Sequence, residues 1–83
     1  MPQLDQRELM RIFAEVLEVD RNTLSDESSP QNVQGWDSAK SMELVITIEE
    51  ALNLEFTAEE LERMESIGAT KDILRSKGVL LQP

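Results

Sequence analysis

Ser38 is the residue of this sequence best placed to do chemistry. It follows Gly35-Trp36-Asp37, where a long polar segment gives way to an apolar-periodic one. A serine at a helix start has a plain role, because its hydroxyl can cap unpaired backbone N–H groups, a contribution of about 1 kcal/mol. The same place also suits an anion, since the free N–H groups and the helix dipole favour negative charge. A phosphodiester on Ser38 is therefore well placed. Nucleophilic catalysis is not, because a serine nucleophile needs a general base and the chain has no histidine. Asp37 reads as a capping partner, and the other carboxylates fall on solvated faces, where nothing separates the pKa values of a pair. The chain also has no cysteine, which excludes thiol catalysis, disulfides and zinc–thiolate centres. The expectation is no enzyme, no catalytic residue and no metal.

The carboxylates are the second chemical feature. The net charge is −9, from 17 acidic and 8 basic residues. Between Asp37 and Glu65 there are nine acidic residues and two basic ones, Lys40 and Arg63. A device for solubility alone has no cause to be so lopsided. Such a surface repels nucleic acid and anionic lipid and attracts basic protein surfaces.

The elements that position these groups follow from periodicity. Leu9, Ile12, Phe13, Val16 and Leu17 repeat at i, i+3, i+4, i+7 and i+8, which predicts a helix over 4–18. Residues 19–37 lack helical periodicity, and Leu24, Val33 and Trp36 are the apolar residues that can pin so long a loop. A second helix should open at Asp37 or Ser38, either of which can cap it, and run to about Asn53. Thr57-Ala58-Glu59-Glu60 fits a capping box for a short third helix with Leu61 and Met64 inward. A last helix, capped by Ser66, should bury Ile67 (or Ala69), Ile73 and Leu74, with Gly78 as its left-handed stop. Nothing reads as a strand pair. The expected fold is all-α, an irregular four-helix bundle of three longer helices and a short third one, with a long first loop.

The second helix carries two faces. At about 100° per residue, Ser41, Leu44, Val45, Ile48 and Leu52 gather on one side as a core stripe, while Ile46 lies about 140° from its middle. Ala39 and Met42 sit near Ile46, Glu43 and Glu50 flank the same side, and Glu49 lies at its edge. An apolar centre with an acidic rim suits docking against a basic patch. Scattered surface hydrophobicity is the plain alternative.

At 83 residues the chain is expected to form a single domain, 1–83. A domain this size buries only about 60–65% of its unfolded surface, too little to wrap a large internal site. Function should then sit on the surface or hang from it. No apolar run reaches the roughly 18 residues a bilayer demands, and the N-terminus lacks a signal-peptide layout, so a cytoplasmic location without membrane contact is expected.

Taken together, Asp37-Ser38, Met42-Glu43-Leu44-Val45, Ile48-Glu49-Glu50, Glu55-Phe56 and the segment from Thr57 to Ile67 resemble the acyl carrier protein family over nearly the whole chain. The resemblance implies a stand-alone monomeric carrier. Ser38 would take a covalent 4'-phosphopantetheine arm from coenzyme A through a phosphopantetheinyl transferase. The arm would hold acyl intermediates as thioesters, as in fatty acid or polyketide biosynthesis. It further implies that Asp37, Glu43, Glu49 and Glu50 face basic docking patches on acyl-loading and acyl-processing enzymes, with Met42 and Ile46 as apolar contacts between them. Ala39 stands where the family usually has leucine, and Lys40 where it is often acidic; both border the docking face and bear on partner identity. Gly35-Trp36 resembles carriers of specialised pathways. Two alternatives stay open: a peptidyl or aminoacyl carrier, and an unmodified acidic helical interaction module.

Overall fold

The computed structural model describes residues 3–82; residues 1, 2 and 83, the ends of the expected domain, lie outside them. The elements run β1 (Gln3–Asp5), α1 (Gln6–Leu17), a 3-10 turn (Arg21–Thr23), α2 (Ser38–Leu52), α3 (Ala58–Arg63), α4 (Ile67–Ser76) and β2 (Leu80–Gln82). The four helices, the short third one and the long first connection are as the periodicity predicts.

The caps explain the boundaries. Asp5 accepts the Arg7 N–H at 2.7 Å and starts α1, so residues 4 and 5 are not helical as expected. Glu18, in the left-handed region at φ 57°, ends that helix. Thr57 and Glu60 form the predicted capping box, and the Ser66 hydroxyl accepts the Ala69 N–H. Gly78, at φ +88°, turns the chain so that the Val79 N–H returns to the Leu74 carbonyl. A side chain at that φ would be strained, which is why glycine ends α4.

One expectation fails outright. β1 and β2 pair in parallel, with Gln3 opposite Leu80, Leu4 opposite Leu81 and Asp5 opposite Gln82. Three residues on each side are too short to show alternation. The pairing arises because α1 and α4 bring both ends of the chain together, and Leu4 and Val79 are buried there.

A single core cluster joins Leu9, Phe13, Leu44, Ile48, Ile67 and Leu74, with Trp36 and Phe56 contributed from the loops. Leu24, Val33, Leu61 and Met64 pack against it as partly buried residues, matching their expected roles as pins and inward positions. The long first loop is fastened to the start of α4. Ile67 N–H donates to Ser28 O at 3.0 Å, and Gly68 N–H donates to Asp26 O at 2.9 Å. Lys71, only 7% exposed, reaches Asp26 Oδ1 at 2.6 Å and Gln6 Oε1 at 3.3 Å. An ammonium so enclosed must be paired. Among the described residues, no helix is long and apolar enough to cross a membrane.

Candidate functional site

The site is built where the pinned loop meets α2. Trp36 is 5% exposed and packs against Phe13 of α1, with ring centroids 5.8 Å apart and planes tilted by 59°. Its indole N–H donates to Ser41 Oγ at 2.9 Å. The indole therefore anchors the end of the loop in the core, and the next two residues are turned outward.

Asp37 is the cap of α2: its backbone is extended, and its Oδ1 accepts the Lys40 N–H at 2.9 Å. Ser38 is the first helical residue and is exposed. Its hydroxyl makes no hydrogen bond among the described residues, and the N–H groups of Ser38 and Ala39 have no partner there either. The capping role that sequence alone allowed to Ser38 thus belongs to Asp37. What remains at Ser38 is a free hydroxyl on the first turn of a 15-residue helix, beside unpaired donors. That arrangement fits a phosphodiester, because the first-turn N–H groups and the helix dipole complement its charge.

The outer face of α2 is displayed as the helical wheel predicts. Met42 is 54% exposed and Ile46 49%, whereas Ile48, two residues further on, is wholly buried. Ala39, Glu43 and Glu50 are exposed. Glu49 differs from them. It is half-buried, and its Oε2 accepts the Phe56 N–H at 2.8 Å, so one oxygen is engaged in holding the α2–α3 connection. Ile46, Glu49 and Glu50 also border a shallow depression with Asn53, Leu54 and Glu55. At the opposite edge, Lys40 reaches across to Glu18 at the end of α1, 3.4 Å away.

A cavity of about 440 Å³ opens beside Ser38. Ser38, Asp37 and Met42 stand at its exposed rim, while Phe13, Leu44 and Thr70 are its most enclosed lining residues. Leu61 and Met64 form the wall on the α3 side. The packing of α3 leaves room that a count of residues does not reveal. Nearby, α3 is held by an ion pair: Lys77 Nζ lies 2.9 Å from Glu60 Oε1. The Thr57 N–H first, and then the Lys77 ammonium, hold the Glu60 carboxyl below its ordinary value.

Sequence reasoning named Ser38 and the outer face of α2 but missed the cavity. Ser41, placed within the core stripe, was the available signal: a polar residue on an apolar face needs a partner or a purpose. Pro30, Leu61 and Thr70 carry no such mark. They reach the cavity only because the loop and α3 fold over α2. Among the described residues, no group of acidic side chains gathers in a metal-binding arrangement.

Known proteins resemble this chain in sequence and fold. Residues 7–74 match the family model described as the phosphopantetheine attachment site. Among solved structures, the solution NMR structure of a holo acyl carrier protein from Geobacter metallireducens is similar at 29% identity and a TM-score of 0.74, over 83% of this chain and 79% of that one. The free hydroxyl at a helix start, the fold and the match over most of the chain converge: this chain belongs to the phosphopantetheine-attachment family, carriers of a covalent 4'-phosphopantetheine group that resemble acyl carrier proteins.

Proposed function

We propose that Ser38 is the attachment residue and that residues 1–83 form one domain carrying acyl groups on the arm. The observation that carries this reading is the exposed, unbonded Ser38 hydroxyl, freed by the Asp37 cap and standing at the rim of a mostly apolar cavity. When bound, the arm supplies a terminal thiol that holds an acyl group as a thioester. The chain's own residues present and shelter it. Asp37 fixes the first turn, Trp36 fixes the loop, and the unpaired N–H groups of Ser38 and Ala39 would complement the charge of a phosphate attached at Ser38. One oxygen of the neighbouring Asp37 carboxylate accepts the Lys40 N–H, and this reading leaves removal of the Ser38 proton to the transferase.

An apolar cavity favours an acyl cargo over an aminoacyl one, because enclosing an unpaired ammonium among Phe13, Leu44, Val45 and Leu61 is costly. The docking face we assign comprises Asp37, Ala39, Met42, Glu43, Ile46, Glu49 and Glu50. Its support is the exposure of Met42 and Ile46 between carboxylates, a composition suited to a partner with a basic rim and an apolar centre. The cargo pathway we favour is a specialised branch of fatty acid or polyketide synthesis, working in the cytoplasm with the carrier as a monomer.

The test is modification. Incubation with coenzyme A and a broad-specificity phosphopantetheinyl transferase should add one phosphopantetheine to the wild-type chain and none to Ser38→Ala, as read by intact mass. Addition to Ser38→Ala overturns the assignment. Glu43→Lys and Glu50→Lys should slow the addition, with the larger loss at low salt, where charge steering is strongest.

A further inference from the structure

Four helical hydroxyl groups illustrate an ordinary habit and one departure from it. Thr47 sends its hydroxyl back to the Glu43 carbonyl at 2.8 Å, Thr70 to Ser66 O at 2.9 Å, and Ser76 to Ile73 O at 2.7 Å. Such back-bonding is what a helical Ser or Thr does when nothing else is offered. Ser41 does not do it. Its oxygen instead accepts the Trp36 indole N–H at 2.9 Å. An indole N–H only donates, so the Ser41 proton is not used in that bond. It has no acceptor among the described residues, and Ser41 lines the cavity beside Ser38.

Ser41 lies one helical turn inward from Ser38 and is half-buried, between the exposed rim and the enclosed Phe13, Leu44 and Thr70. In the absence of cargo, solvent water can take its proton. A chain entering the cavity displaces that water. A purely alkyl chain then leaves a donor unpaired against hydrocarbon, whereas a chain bearing an oxygen on its own carbons accepts the proton. Thr70 does not compete for such an oxygen, because its hydroxyl is spent on Ser66 O.

We infer that Ser41, held by Trp36, is a cargo-selecting hydrogen-bond donor that makes the cavity prefer oxygen-substituted acyl groups, such as 3-oxoacyl chains, over saturated ones. This rests on the reading that Ser38 bears the arm, and it names the substrate class of that same site. The arrangement resembles other sites built to pair with a substrate oxygen, which disfavour the analogue lacking it because their own polar group is then stranded. The apolar lining still supplies most of the burial. Ser41 supplies the discrimination.

The experiment compares 3-oxooctanoyl and octanoyl groups loaded on the intact chain from their coenzyme A thioesters by the transferase. Intact mass first confirms one acyl-phosphopantetheine on the wild-type chain and none on Ser38→Ala. If none is added to the wild-type chain, the attachment reading fails, and cargo preference is not what failed. Each thioester is then exchanged with dithiothreitol, a thiol that attacks the thioester carbonyl and releases the arm's thiol, and its rate is divided by that of the same thioester on free pantetheine, which removes intrinsic reactivity. The expected result is stronger protection of the 3-oxooctanoyl group than of the octanoyl group, by roughly fivefold, the effect of one neutral hydrogen bond. Ser41→Ala should bring that ratio to about one. Trp36→Phe keeps an aromatic wall but frees the Ser41 hydroxyl to turn back to the Asp37 carbonyl, so it should also reduce the ratio. Far-ultraviolet circular dichroism verifies that each variant is folded. Equal protection of both cargoes in the wild type, better protection of octanoyl, or a ratio that survives in Ser41→Ala each overturns the inference.

Discussion

Ile46 and Ile48 stand two positions apart on α2 and should respond oppositely to truncation. Ile48 is wholly buried in the cluster with Phe13, Leu44 and Leu74. Ile48→Ala removes three buried carbons and leaves a cavity, which typically costs about 2–5 kcal/mol. Total stability for a chain of this length is expected near ~4–12 kcal/mol, so that loss is a large share of it. Ile46 is 49% exposed. Its truncation gives up about half as much burial and creates no internal void, while alanine is the better helix former by a few tenths of a kcal/mol. The net change should stay within about 1 kcal/mol. At roughly 4–8 °C per kcal/mol for a domain of this size, Ile46→Ala should shift the melting temperature by only a few degrees and Ile48→Ala by ten or more. Urea unfolding followed by fluorescence measures both, because the chain has a single tryptophan and it is packed on Phe13. Transferase modification of the same variants should show the reverse order, with Ile46→Ala slowed and any still-folded Ile48→Ala little affected. Equal destabilisation by the two changes would mean that α2 is rotated about its axis from the arrangement described, and the docking face would have to be redrawn.

Three further outcomes follow from the same contacts. Because Asp37 and not Ser38 caps α2, Asp37→Ala should cost about 0.5–2 kcal/mol in urea unfolding, while Ser38→Ala stays within about 0.5 kcal/mol. Asp26→Ala strands the enclosed Lys71 ammonium with Gln6 as its remaining side-chain partner, so it should destabilise by about 1–3 kcal/mol, more than Lys71→Met, which removes the charge and keeps the volume. Glu60 has its folded carboxyl held below the ordinary value of 4.5 by Thr57 and Lys77; its contribution is full above that value and lost as pH falls through the folded one. Glu60→Gln should therefore show a shallower loss of melting temperature below about pH 4.5, and an unchanged acid limb would refute the assignment.

The helices and the caps at Thr57, Ser66 and Gly78 were legible in the sequence because they are local. A 3.6-residue apolar period, a threonine three residues before a glutamate, and a glycine after the last periodic position act within one or two turns. The same locality placed Met42 and Ile46 outward and Ile48 inward, since a rigid helix fixes the angle between its own side chains. Ser38 was legible as a helix-start hydroxyl for the same reason, but whether it or Asp37 formed the cap was not. That choice depends on the backbone arriving in extended form at Asp37, set by burial of Trp36 against Phe13 on a different element.

Long-range placement decided the rest. The parallel pairing of β1 with β2 joins segments more than seventy residues apart and leaves no local pattern. Lys71 carries no local mark of burial, and its enclosure depends on the loop that lays Asp26 across it. The cavity is made by Pro30, Leu61, Met64 and Thr70 folding over Ser38 and Ser41. Its volume is set by how far side chains from five separate segments fall short of meeting, a quantity that no single segment encodes. The sequence by itself determined which helices form and which faces they bury, because those follow from chain-local geometry. Only the tertiary structure decided that Ser38 has a free hydroxyl and a sheltered space beside it, because both depend on what packs against α2.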